Sequence, residues 1–339
     1  MIYLFCLTIP LSVAFSLHQE NALSFFGLAY SFVLLPFVEL LLPKNFSPKS
    51  SLSPKVHNFL LFLLGGIHLL TIPYYLVMIP EVKLFSMVWF GQMSALGMSC
   101  AVLGINIAHE LGHRRDALSQ NFAKALLTSS LYSHFFWEHN YGHHKNVATP
   151  EDPSTAKIGQ NVYGFIVKSV YATISSGIEI GRNFKAKNSL NINPVLQWKA
   201  IEFLFFGGSF LVFGINKGLF ILLAAIFGFT LLEIVNYVEH YGLLRKKLKT
   251  VDRYEPVQPI HSWNSNHFMS RSLLFELSRH SDHHANSYKE YFKLEDIDGA
   301  PQLPTGYPGM MLLSLVPSLW YKVMDPRVHS FKQKIAETK

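Results

Sequence analysis

The chain has 339 residues, 50% hydrophobic and 14% aromatic, with 15% charged and a formal net charge of +7. Soluble domains are about one quarter charged, so the composition excludes an ordinary soluble globule, and the positive charge reads as membrane topology and attraction to anionic lipid rather than nucleic-acid binding. Two cysteines, Cys6 and Cys100, sit far apart in apolar segments; they exclude a disulfide framework or a CxxC metal knuckle and read as buried thiols.

Apolar runs of membrane-spanning length are expected at about 1–17, 22–42, 58–79, 86–108, 198–215 and 217–236. The first lacks a basic leader, and Phe15, Ser16 and Leu17 make a poor cleavage site, so it reads as a retained helix. Six spans put both termini on one side. With the N-terminus inside, only Lys83 and Lys217 of the 29 Lys and Arg fall outside, which is the positive-inside bias. Lys44, Lys49 and Lys55 carry it between spans two and three, and Glu39 reads as snorkelling toward Lys44. A tight hairpin, 215–217, joins spans five and six.

Segments 109–197 and 237–339 are then cytoplasmic, and the fold class is an all-α membrane protein of about six spans with a histidine-rich cytoplasmic cap, one domain over 1–339. The first segment contains an apolar helix at 117–136. An amphipathic stretch follows near 161–180, where Phe165, Ile166, Val170 and Ile174 recur at helical spacing. The run 309–323, broken by Pro317, reads as a membrane-surface helix rather than a seventh span.

Nine of the 16 histidines fall in four clusters just beyond apolar segments. Asn106, His109 and His113 share one helical face, as do Glu233, Asn236 and His240. Polar groups inside a bilayer face a bundle interior, so two helices deliver polar stripes to the same end. The clusters at 138–144 and 279–284 can fold back over that end. In a helix, His139 with His143, and His280 with His283 or His284, would also share a face. Imidazole is the commonest transition-metal ligand among side chains, and this many exceed the needs of one zinc.

Other readings remain open at this point. His109-Glu110-Leu-Gly-His113 alone is the HExxH signature of a zinc protease, with Asp298 as a distant third ligand, but it leaves seven clustered histidines unexplained. A histidine wire for metal passage would need polar residues along several spans, whereas here they crowd at one end.

The four clusters, HELGHRRD, EHNYGHHKNVATPEDP, NYVEHYGL and RHSDHHANSYKEY, resemble the histidine boxes of the integral-membrane alkane 1-monooxygenases, within the fatty-acid desaturase-like superfamily. The runs 299–310 and 324–328 resemble that family too, and the likeness covers roughly 85–330. Fatty-acid desaturases share the histidine-rich logic but lack the NYVEHYGL element; xylene-type side-chain monooxygenases are closer cousins.

The resemblance implies two non-haem iron ions held by His109, His113, His139, His143, His144, His240, His280, His283 and His284. It implies insertion of one atom of dioxygen into a terminal C–H bond of a medium- or long-chain alkane, giving a primary alcohol. Separate rubredoxin and rubredoxin reductase chains would supply electrons, since no CxxC module is present to hold them. The lipid bilayer of the inner membrane would surround the enzyme. A xylene-type monooxygenase or a fatty-acyl desaturase or hydroxylase is the alternative. Ser278 stands where a glutamine is common in the family, and Asn286-Ser-Tyr replaces the usual histidine–proline.

Glu110, Glu138, Glu239, Asp282 and Asn236 are expected around the ligands, where carboxylates balance metal charge and orient rings. Asp152 counts with these carboxylates, a surface charge being its plainer alternative. His18, His57 and His329 are expected at solvent or the interface, and His68 and His134 in structural hydrogen bonds; His261 and His267 are candidates for contact with the site. Arg114, Arg115, Lys145, Arg245, Lys246, Lys247 and Lys249 flank the boxes and would steer an acidic electron donor.

Overall fold

The computed structural model describes residues 2–42, 52–249 and 251–337, and it is helical throughout, with no strand among the described residues. Twelve helices serve the description: α1 Thr8–Leu17, α2 Ala22–Leu41, α3 Pro54–Met78, α4 Met87–Gly112, α5 Ala117–Ser129, α6 at 135–146, α7 Val162–Lys187, α8 Pro194–His240, α9 Phe268–Leu273, α10 His280–Ala285, α11 Tyr307–Ser314 and α12 Pro317–Glu337. Lys44 and Lys49 lie outside the described residues.

Four helices, α2, α3, α4 and α8, are long and apolar enough to cross a membrane. The 47-residue α8 breaks at Gly214, where φ 80 and ψ 176 leave the helical region, a conformation open to glycine. Its two arms correspond to the last two expected spans, each of about twenty residues or more. The N-terminal apolar helix, Tyr3–Leu17, is about 22 Å long at 1.5 Å per residue and falls short of a core of about 30 Å. Leu211 and Phe203 are 90% and 77% exposed. In water each would forfeit about 1.5–3 kcal/mol; facing lipid, they forfeit none of it.

The turn after Gly214 is tied to the α3–α4 connection. Trp89 Nε1 donates to Asn216 Oδ1 (2.8 Å), Asn216 Nδ2 to the Val82 carbonyl (2.9 Å) and Lys217 Nζ to the Leu76 carbonyl (2.7 Å). The opposite ends of α4 and α8 carry His109 and His240. The bundle therefore has a plain end and a histidine end, and α6, α9 and α10 close over the latter.

α5 stops at Ser129, short of the expected 136, because Leu131 turns left-handed (φ 58) and redirects the chain into α6. α7 is amphipathic as expected, but beyond Phe165 its buried face is Ser169, Thr173, Gly177 and Gly181, small residues that let it lie close to α6 and α8. Three π turns interrupt the helices among the described residues, Tyr30–Leu34 within α2, Cys100–Ile105 below His109 and His139–His143 within α6. Such bulges accompany functional sites.

Two residues expected near solvent or lipid headgroups are buried instead, and so is Asp152, for which a surface charge was the alternative to a place near the ligands. His57 Nδ1 lies 2.8 Å from the Tyr291 hydroxyl and its ring stacks on Phe292. Glu39, 2% exposed, accepts from the Ser270 amide at 2.8 Å. Asp152 is 3% exposed. His57 and Glu39 meet segments far away in sequence, so local composition gave no sign of their burial, whereas Asp152 is buried against His143, nine residues earlier. His68 is a core hydrogen-bonding residue, between Ser99 Oγ (2.9 Å) and Ser129 Oγ (3.0 Å).

Candidate metal centre

The nine clustered histidines converge in two adjoining groups, each of which could hold a metal ion: His109, His113, His139, His144 and His283, and His143, His240, His280 and His284. In the first, His109 Nε2 is 3.0 Å from His283 Nε2. His139 Nε2 is 3.1 Å from His113 Nε2 and 3.0 Å from His144 Nε2. In the second, His280 Nε2 is 3.1 Å from His240 Nε2 and 2.9 Å from His284 Nε2, which lies 3.2 Å from His143 Nε2.

The two adjacent pairs explain how the groups adjoin. Neighbours on a helix point about 100° apart. His143 and His284 therefore serve the second group while His144 and His283 serve the first, and the rings of His144 and His284 lie 4.6 Å apart across the boundary. His139 and His143, expected to work as one face, go to different groups. In a regular α-helix residues five apart diverge by about 140°. The π turn, bonded i to i+5, brings His144 back beside His139 and releases His143.

Hydrogen bonding alone does not account for this packing. His280 Nε2 faces two other Nε2 atoms and Glu239 Oε2 (3.2 Å), whereas a neutral imidazole has one proton for its two nitrogens. Nδ1 of His280 and of His284 is buried with no partner. Metal–nitrogen bonds of about 2.1 Å at right angles would set neighbouring nitrogens about 3.0 Å apart. Five donors in the first group exceed a tetrahedral zinc. The residues present fit two transition-metal ions with imidazole ligands.

Burial keeps the rings competent to bind. It pushes His139, His144, His280, His283 and His284 well below the usual histidine range and His113 to about 4, helped by neighbouring histidines. A neutral imidazole is what a metal needs. His143 departs from this pattern. Burial opposes its charge, but Asp152, with both carboxylate oxygens 3.1 Å from Nδ1, raises it and is itself lowered. Asp152 also accepts from Thr155 Oγ1 at 2.6 Å, so its orientation is fixed. This is the carboxylate–histidine arrangement that aims Nε2 at a metal. The sequence counted Asp152 among the carboxylates near the ligands without assigning it to His143.

The other expected neighbours sit as follows. Glu239 Oε1 accepts from Tyr307 (2.8 Å) while Oε2 edges the second group. Asp282 accepts from Lys289 and the Glu295 amide, anchoring the chain after α10. Glu110 meets Arg114 at 3.8 Å and the Tyr291 amide at 3.4 Å. Glu138, buried and pushed up to about 8 by that burial, is 3.4 Å from Ser176 Oγ. Asn236 donates to Glu233. His261 pairs with Glu255 and His267 with Ser265, and both stand outside the two groups. Ser262, beside His261, reaches His240 Nδ1 at 3.4 Å.

An apolar cavity lies under the histidines, lined by Phe32, Met98, Ala101, Asn106, Val235 and Leu273 among others. Along α4 it runs from Asn106 to Met98, about 12 Å at 1.5 Å per residue. Asn106 is one turn from His109, and its amide donates to the Leu274 carbonyl at 3.0 Å. A second, polar opening reaches His113 from the surface between Glu110, Arg115 and Tyr288.

Comparison with known proteins agrees with the histidine pattern. Residues 83–313 match the fatty acid desaturase family. The chain is 42% identical over 250 residues to an alkane 1-monooxygenase of Pseudomonas putida, a match covering 72% of this chain and 62% of that protein. It is 38% identical to alkane 1-monooxygenase 1 of Alcanivorax borkumensis, covering 87% and 75%. The hydroxylase component of the Pseudomonas putida xylene/toluene monooxygenase is 28% identical, covering 73% and 66%.

Proposed function

Because the chain belongs to the fatty acid desaturase family and stands among its alkane 1-monooxygenases, we propose that it hydroxylates a terminal carbon of a medium- or long-chain alkane. The observation that carries this reading is the convergence of nine imidazoles beside an apolar cavity whose lining reaches Asn106, one turn from His109. Iron ions held by the two groups would activate dioxygen with two electrons, sending one oxygen atom into a C–H bond and the other to water.

The chain's own part is positioning. His109, His113, His139, His144 and His283 would hold one ion, and His143, His240, His280 and His284 the other. Asp152 fixes the His143 ring, and Tyr307 fixes the Glu239 carboxylate beside His280. An alkane offers no polar handle, so selection rests on the cavity walls, where each methylene is worth about 1–3 kcal/mol. Acceptance across neighbouring chain lengths follows. Met98, eight residues deeper than Asn106, lines the part of the cavity farther from the histidines.

In this reading the histidine end faces the cytoplasm of an inner membrane, and electrons arrive from a separate rubredoxin and its reductase. Of the flanking cations, Arg245 is engaged by the carbonyls of Glu255 and Lys145, and Arg114 lies beside Glu110. Arg115, Lys145, Lys246 and Lys249 are exposed and remain for steering. The HExxH alternative gains no support, since His109 and His113 share their group with three further histidines. The test is product analysis from octane, hexadecane and xylene under ¹⁸O₂ with reductase and rubredoxin. Labelled 1-alkanols support the reading; ring-methyl alcohols from xylene with no alkanol replace it.

A further inference from the structure

Beside the second histidine group, away from the cavity, lies a run of buried polar groups that neither metal binding nor packing requires. Glu233, fully buried, stands on α8 two turns before His240. Its Oε1 accepts from the Tyr132 hydroxyl at 2.5 Å and from Asn236 Nδ2 at 3.4 Å. Tyr132 OH is also 3.5 Å from Thr173 Oγ1, which is 3.4 Å from His134 Nε2. Thr173 gives its own proton to the α7 backbone. Farther out, the Ser133 amide donates to Glu202 Oε2 (2.8 Å), and Lys199, with 23% of its side chain exposed, pairs with Glu202 Oε1 at 2.6 Å.

Of four orphaned polar atoms along this line, Ser133 Oγ and Ser169 Oγ are hydroxyls and two belong to titratable groups. Glu233 Oε2 and His134 Nδ1 are buried and make no hydrogen bond. The Ser169 hydroxyl lies beside Glu233 without closing one. Leaving such an atom dry costs about 1–3 kcal/mol, and buried groups of this kind are commonly met by ordered water. The two fall where the line is open, Glu233 Oε2 on the carboxylate at its inner end and His134 Nδ1 on the residue after Ser133, whose amide holds Glu202. Burial and the Lys199 ammonium hold His134 neutral, so its ring has a proton on one nitrogen and a lone pair on the other.

We propose that Lys199, Glu202, His134, Thr173, Tyr132 and Glu233, completed by water at Glu233 Oε2 and His134 Nδ1, form the route by which protons reach the metal centre. The inference rests on the hydroxylation reading. Converting R–H and dioxygen into R–OH and water consumes two electrons and two protons. The apolar cavity cannot carry protons, whereas this line joins a partly exposed ammonium to a carboxylate two turns from His240. None of its members is one of the nine histidines, and the line lies on α5–α6, α7 and α8 rather than under the basic loop proposed for electron delivery.

The test uses full-length protein bearing Glu233→Gln, Tyr132→Phe or Glu233→Asp, with Tyr75→Phe as a buried tyrosine off the line. In metal-free protein, the infrared difference between wild type and Glu233→Gln isolates the carboxyl, and Tyr132→Phe should shift that band. In iron-loaded protein, Glu233→Gln and Tyr132→Phe should keep the iron content. They should consume several-fold more electrons per alcohol, release the excess as peroxide, and show a larger solvent deuterium isotope effect. Glu233→Asp should recover coupling in part, and Tyr75→Phe should match wild type. Wild-type coupling and isotope effect in both Glu233→Gln and Tyr132→Phe at full iron would overturn the route. No alcohol from wild type with an intact infrared shift would instead overturn the hydroxylation reading.

Discussion

Asp152 places both carboxylate oxygens 3.1 Å from His143 Nδ1, nine residues earlier, and with Thr155 it fixes the one clustered histidine that carries a raised affinity for a proton. Asp152→Ala should therefore lower metal occupancy at the second group or slow turnover by about 10–100-fold. The first group should be spared. Iron per chain and alcohol formed, measured together, check this; unchanged values would leave Asp152 a packing residue.

Replacing His143 or His283 with alanine should abolish hydroxylation while the protein still inserts into the membrane, since each removes an imidazole from one group without touching a spanning helix. His18→Ala and His329→Ala should be nearly silent, both being exposed and remote from the groups. Equal losses at all four positions would remove the distinction.

Much of this was legible in the chain. The apolar runs located α2, α3, α4 and both arms of α8, and the spacing of Asn106, His109, Glu233, Asn236 and His240 put their polar stripes at one end. Less visible was the partition of the histidines, because it depends on the π turn at His139–His143, a geometry that residue spacing does not announce. His57 and Glu39 were misplaced for a related reason. Each is buried by a partner from another segment, Tyr291 for one and the Ser270 amide for the other, which residue spacing does not reveal. The first apolar run matched a span in composition and missed it in length.

The cavity makes chain length testable. Ala101 lines its middle, and Ala101→Phe should fill the part beyond Asn106. With each displaced methylene costing about 1–3 kcal/mol, turnover of the longest accepted alkane should fall about tenfold or more while shorter alkanes retain activity. Competition among octane, dodecane and hexadecane reads this directly. A uniform loss at all lengths would place the substrate elsewhere.

Ahead of the last histidine cluster, Tyr3 donates to Glu276 Oε1 at 2.8 Å, and Arg271 Nε donates to Glu276 Oε2 at 2.7 Å. The clamp holds Phe275 and Glu276 in left-handed conformations (φ 52 and 57). Arg271 and Glu276 are buried, so Glu276→Ala should cost about 3–5 kcal/mol and Tyr3→Phe about 1 kcal/mol. Thermal unfolding in detergent measures both. A Glu276→Ala protein as stable as wild type would show that the clamp contributes nothing.

Electron delivery should depend on exposed positive charge. Lys246→Glu with Lys249→Glu should slow rubredoxin-driven turnover, most at low salt, where the Debye length is about 10 Å or more. Turnover driven by a small chemical reductant should be unaffected. If both assays fall together, the loop serves folding or lipid contact.

The central claim is that nine imidazoles hold two irons. Metal analysis of the purified, active protein tests it most directly. About two irons per chain, falling together with alcohol formation in His143→Ala and His283→Ala, is the expected result. One zinc per chain with little iron and full activity would contradict it.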